Sequence, residues 1–298
     1  MEIEINQFII EEIKKKNDLF QKGAKITGKK IKSFKFEDFT YLKDSLEYFG
    51  DFSVPYFLSY SVLKDIEYKI DNPFPGTIWY WEKDADKNKT RDFLSIQSKL
   101  MYDTLNSYLT LLKSQNHLQA LILFRSYIEY SSQFYASLLD YDFFQKYTTS
   151  ELLNEEYKKL WFKSLKPEKV LSTIKCMHLE MNKLLKEKKI NYSETIIYSR
   201  MFKPFDSHLR EFLYNELSGL AHGSYPTLIK NDDTKLYSLV WLCSAYLVES
   251  EAVIDELTSV YFKYSLEELF NKWITRAIYL KSKEPKALLF INSNSINE

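Results

Sequence analysis

Six glycines and seven prolines are all the punctuation in a chain of 298 residues. A turn-rich β protein needs many more breaks, whereas long segments here repeat apolar residues at helical spacing. The chain therefore reads as mainly α, a multi-helix bundle with an N-terminal helical region. Periodicity predicts helices over 3–21, 37–49, 55–70, 91–115, 117–140, 150–163, 168–188, 206–222, 233–263 and 265–281. Asn-Pro-Phe-Pro-Gly at 72–76 interrupts the chain, Pro167 and Pro204 mark helix starts or breaks, and Gly223 with Pro226 stops a helix. The segment from Leu236 to Val248 is apolar almost all round, as a central bundle helix should be. These breaks suggest an N-terminal helical region with a basic segment (1–88), a bundle (89–282) and a tail (283–298).

Lysine plus arginine number 41, as do aspartate plus glutamate, so no global field steers the chain toward nucleic acid or anionic lipid. Aromatic residues make up 16% of it, which argues for large helix–helix contacts and for self-association through aromatic faces. The opening Met-Glu-Ile-Glu-Ile-Asn lacks a basic, then apolar, leader pattern. No charge-free apolar stretch reaches the length of a membrane span, so no membrane partner is expected. Cys176 and Cys243 show neither CxxC spacing nor nearby histidines and fit reduced, packed thiols in the cytoplasm.

Two helical stretches carry the candidate chemistry. Arg-Ser-Tyr-Ile-Glu at 125–129 puts Arg125 and Glu129 four apart inside an otherwise apolar helix. Between 210 and 223, Arg210, Tyr214, Ser218 and His222 follow one another at steps of four along a single helical stripe. A buried arginine is costly unless paired, so the two helices should lie side by side, antiparallel or nearly so, with their polar groups converging. One reading makes Arg125, Glu129, Tyr214, Ser218 and His222 an inner clamp that fixes helix register. The other makes them a site, with His222 exchanging protons and Arg125 or Arg210 holding a phosphate. Gly223 suits the left-handed residue that ends the helix and leaves His222 at its C-terminus.

These motifs, Arg-Ser-Tyr-Ile-Glu followed by Tyr-Asn-Glu-Leu-Ser-Gly-Leu-Ala-His-Gly, resemble those of bacterial helical proteins placed near the HEPN superfamily, over about residues 95–262. The resemblance implies a helical bundle, commonly dimeric, of the kind found in toxin–antitoxin and phage-defence systems. Many such proteins are metal-independent ribonucleases whose arginine and histidine are separated by roughly four to six residues. Here eleven residues separate Arg210 from His222, and seven separate Arg200 from His208 with Pro204 between them. The resemblance thus implies two functions. One is a protein that binds or cleaves RNA, the 2′-hydroxyl attacking while His222 moves protons and Arg210 or Arg125 stabilises the phosphorane. The other is a non-catalytic sensor or interaction module that regulates a partner effector from a defence operon.

A basic segment adds Lys14, Lys15, Lys16, Lys22, Lys25, Lys29, Lys30, Lys32 and Lys35, with Phe20 and Phe34 interleaved. Such a mixture suits RNA or nucleotide binding, the aromatics stacking on bases; the plain alternative is a solvated, partly flexible connection. Trp79, Tyr80 and Trp81 offer a stacking platform or a packed junction. There is no phosphate loop, no GxGxxG and no HExxH, and no histidine has a glutamate three residues before it, so no metal or cofactor is expected.

Overall fold

The computed structural model describes residues 2–72, 86–148, 154–187, 205, 208–223, 233–258 and 265–282. Among them every regular element is a helix, and the protein is a mainly α multi-helix bundle. The helices are α1 (Glu2–Thr27), α2 (Thr40–Tyr48), α3 (Ser53–Asp71), α4 (Lys87–Lys113), α5 (His117–Leu139) and α6 (Tyr141–Tyr147). They continue as α7 (Asn154–Leu160), α8 (Pro167–Glu187), α9 (His208–Ala221), α10 (Asp233–Thr258) and α11 (Leu266–Ser282). The run expected over 150–163 ends in a π-helical turn, Trp161–Leu165, before Pro167 opens α8. The Trp79–Trp81 run, Pro204, Arg200 and the tail lie outside the described residues.

Contacts divide the chain into Met1–Ser61 with Lys263–Glu298, and Val62–Phe262. This differs from the boundaries at 88 and 282: the division falls within α3, and α11 belongs with the N-terminal helices. The reason is aromatic packing. Phe270 of α11 stacks on Phe34 with ring centroids 4.3 Å apart, and Phe20 lies 5.5 Å from Phe270 and 5.0 Å from Trp273. Phe20 and Phe34 are only 7% and 8% exposed, so they serve the core of this unit. The segment after α1 is held rather than loose. Asn17 donates to the Phe34 carbonyl (2.6 Å) and accepts from its N–H (2.9 Å), while Gln21 donates to the Ile31 carbonyl (2.9 Å).

In the second unit α5 is the central helix. It packs against α4, α6, α8, α9 and α10, and every residue from Ser131 to Leu139 is buried. The apolar α10 lies beside it, packed on both α5 and α9. Three serines inside α5 satisfy themselves locally: Ser131 and Ser132 donate to the Ile128 carbonyl (3.2 and 2.6 Å), and Ser137 to that of Gln133 (2.9 Å). Gln97 of α4 donates to the Tyr130 carbonyl (3.1 Å), and Tyr147 of α6 donates to Gln133 (3.0 Å), so three helices share one polar staple. Lys235, Glu249, Glu251 and Asp255 keep α10 short of a charge-free span. Within α10, Lys235–Asp255 is long and apolar enough to cross a membrane by length and composition, and 61% of its apolar window is buried inside the fold.

Candidate functional site

Local rules end α9 where the sequence placed its stop. The His222 N–H donates to the Ser218 carbonyl (2.9 Å), the Gly223 N–H to that of Leu220 (3.1 Å), and Gly223 has φ +60°. Leu213, Leu217 and Leu220 make the buried face of α9. Its polar stripe follows the helix's own geometry. At about 100° per residue, each step of four drifts by roughly 40°. Arg210 is accordingly buried, Tyr214 and Ser218 are half-buried, and His222 is exposed.

The two helices meet as expected. Arg125 Nη2 donates to the Tyr214 hydroxyl at 3.0 Å, and that hydroxyl donates to Glu129 Oε1 at 2.9 Å. Arg125 and Glu129 are also ion-paired at 3.2 Å. Arg210 Nε donates to Ser132 Oγ at 2.9 Å. Positions rise along α5 as they fall along α9, so the pair is antiparallel. The Tyr214 ring is flanked by both guanidinium groups, Arg125 at 5.1 Å and Arg210 at 5.8 Å from its centroid. Burial raises the Tyr214 pKa, with Arg125 opposing and Glu129 adding to the shift. For Arg125 burial pulls the pKa down, but Tyr214 and Glu129 outweigh it and leave it raised.

Three expectations change here. The deeply buried arginine is Arg210, at 4% exposure, while the Arg125 side chain retains 28%. The reason is the stripe's drift: Arg210 lies on the part of α9 turned to α5. Ser218 does not join the clamp, because its hydroxyl is buried without a hydrogen-bond partner among the described residues, as are Arg125 Nε and Arg210 Nη2. His222 stands eight residues beyond Tyr214, about 12 Å along the helix axis, and about 18 Å beyond Arg210. Neither Arg125 nor Arg210 therefore shares a locus with it.

Sequence reasoning missed two groups. Ser131 and Tyr246 hydrogen-bond at 2.8 Å beside Arg210, extending the clamp inward to α10. Farther along α10, Glu251 and Asp255 both hold the ammonium of Lys69 from α3, the Asp255 carboxylate at 2.8 Å. The available signal was the i,i+4 spacing of Asp65 with Lys69 and of Glu251 with Asp255 inside apolar helices.

Lys14, Lys15, Lys29, Lys30 and Lys32 are exposed, and Lys16 lies over the Trp273 ring at 5.5 Å. Lys15 pairs with Glu12 (2.7 Å) and Lys32 with Asp38 (3.7 Å). Because Phe20 and Phe34 are buried, the stacking half of the expected basic–aromatic surface is absent from those two positions. Cys243 is buried, which pushes its thiol pKa well up, whereas Cys176 is exposed rather than packed. No family model matches this chain, and neither a curated protein nor a solved structure is significantly similar to it.

Proposed function

We propose that this protein is a HEPN-like helical module of bacterial defence or toxin–antitoxin type that acts in the cytoplasm without catalysis, regulating a partner effector. The motif resemblance at 125–129 and 214–223 supplies the class. The observation that favours regulation over cleavage is the occupancy of Arg125: Tyr214 and Glu129 already hold it across α5 and α9. A general acid–base site needs its histidine within hydrogen-bond reach of the reacting group and its anion-stabilising partner close by. A two-helix clamp instead offers an element whose packing a ligand or partner can bias. Self-association belongs to the same reading.

The ribonuclease reading keeps one point in its favour, the exposure of His222 at a helix end, where it is open to a substrate. One experiment separates the two. Purified wild type and the variants His222→Ala and Tyr214→Phe are given mixed RNA without divalent metal, and each is co-expressed with the product of the neighbouring gene. The expected outcome is no RNA cleavage, together with a change in effector toxicity that Tyr214→Phe weakens and His222→Ala preserves. Metal-independent cleavage by wild type that His222→Ala abolishes would overturn the regulatory reading in favour of the nuclease.

A further inference from the structure

A second polar cluster lies in the α3–α10 contact. Asp65 and Lys69 stand one turn apart on α3, and Glu251 and Asp255 one turn apart on α10. One carboxylate oxygen from each of Asp65, Glu251 and Asp255 lies within 4.8 Å of the others. Glu251 and Asp255 are 3% and 2% exposed, while Asp65 is half-buried and gives the cluster its access to solvent. We propose that these three carboxylates bind one hard divalent cation of the calcium or magnesium class.

The geometry suits a single ion. Calcium–oxygen bonds of about 2.4 Å put opposite ligands about 4.8 Å apart, so these carboxylates can close on one calcium with little movement. The donors are all oxygens, with neither histidine nor cysteine, which favours hard cations over zinc or copper. Tyr127 supplies the independent observation. It is fully buried on α5, and its hydroxyl has no hydrogen-bond partner among the described residues. It also lies within electrostatic reach of Glu251, whose charge adds to burial in raising the phenol's pKa. Buried hydroxyl groups are seldom left orphaned. An ion at the carboxylates brings coordinated water, and one such water gives Tyr127 its partner. Lys69 is the internal competitor, since its ammonium already engages Glu251 and Asp255. Binding therefore draws these carboxylates away from Lys69, and the ion's affinity is set by that competition.

This site does not rest on the regulatory reading, and it adjoins the clamp through Tyr127, which lies between Arg125 and Glu129 on α5. The test uses the full chain, stripped with chelator and titrated separately with calcium and magnesium by calorimetry and thermal melting, with sodium at matched ionic strength as control. Wild type is expected to take up one ion per chain saturably and to melt higher as the ion is added. Asp65→Asn should weaken uptake at least tenfold. Tyr127→Phe should weaken it several-fold while leaving the ion-free protein as stable as before. Lys69→Met should melt lower without ion and recover by a larger upward shift with it. No saturable uptake by wild type, or uptake unchanged in Asp65→Asn, would overturn the proposal and leave a structural ion-pair cluster; both arms stand even where Lys69→Met does not fold.

Discussion

Arg210 and Tyr214 sit one helical turn apart, yet their side chains contribute to stability in opposite ways. The Arg210 guanidinium is taken almost fully out of water and receives one hydrogen-bond acceptor, Ser132, and one aromatic face among the described residues. Such a desolvated charge without a described carboxylate returns little. Tyr214 joins an acceptor to a donor across two helices and satisfies both. Tyr214→Phe is therefore expected to cost about 1–3 kcal/mol, since Arg125 and Glu129 each lose a half-buried partner. Arg210→Met, which keeps the stem's packing and removes the charge, is expected to be neutral or stabilising. Urea denaturation of both variants checks this through their midpoints at unchanged slope. A large loss in Arg210→Met would show that the guanidinium has a partner beyond Ser132.

At the scale of elements, most helix boundaries follow from local rules. Asp86 caps α4 by accepting from the N–H groups of Asn88 and Lys89, both at 3.0 Å. Asp140 does the same for α6 through Asp142 (2.9 Å) and Phe143 (3.3 Å). Helix α6 lies outside the helices that periodicity predicts, although Asp140 before Phe143 and Phe144 is a start signal of the usual kind. That helix has only 7 residues, too few to stand alone, and it exists because Phe143 and Phe144 are buried, at 3% and 1% exposure. Asp140→Ala is expected to cost about 1 kcal/mol, read as a lower melting temperature with unchanged helix content. A wholesale loss of helicity would mean that α6 holds more of the bundle than its cap suggests.

For the whole molecule, the buried phenols make stability sensitive to alkali. Burial, opposed by the Gln97 hydrogen bond, pushes Tyr147 up to about 12. Tyr108 and Tyr127 are raised well above their usual value by burial, and Tyr246 is raised as well. A raised pKa means that the fold prefers the neutral phenol. The contribution is intact below about pH 10, where unfolded tyrosine is still protonated, and is lost as pH climbs toward about 12. For Tyr147 alone the loss is about 2–3 kcal/mol across that window. The melting temperature of wild type should fall steeply between about pH 10 and 12, and less steeply in Tyr147→Phe. Equal slopes in the two proteins would place Tyr147 in water.

What the sequence determined by itself was local in origin: helix periodicity, the stop at Gly223, and the pairing of two helices that each carried polar residues too costly to bury alone. The contact of Arg125 with Tyr214 was legible for that reason, because the cost of an unpaired arginine belongs to the residue and not to its surroundings. Which arginine went deepest was not legible. It depends on how α9 is rotated against α5, and a drift of roughly 40° per step separates buried Arg210 from exposed His222. The roles of Phe20 and Phe34 were settled in the same way, since only the packing of α11 against α1 turned them from candidate stacking rings into core. Lys69, Glu251 and Asp255 met only in three dimensions. Lys69 and Glu251 lie 182 residues apart, and periodicity within either helix reports which faces are polar, never which distant helix will cover them.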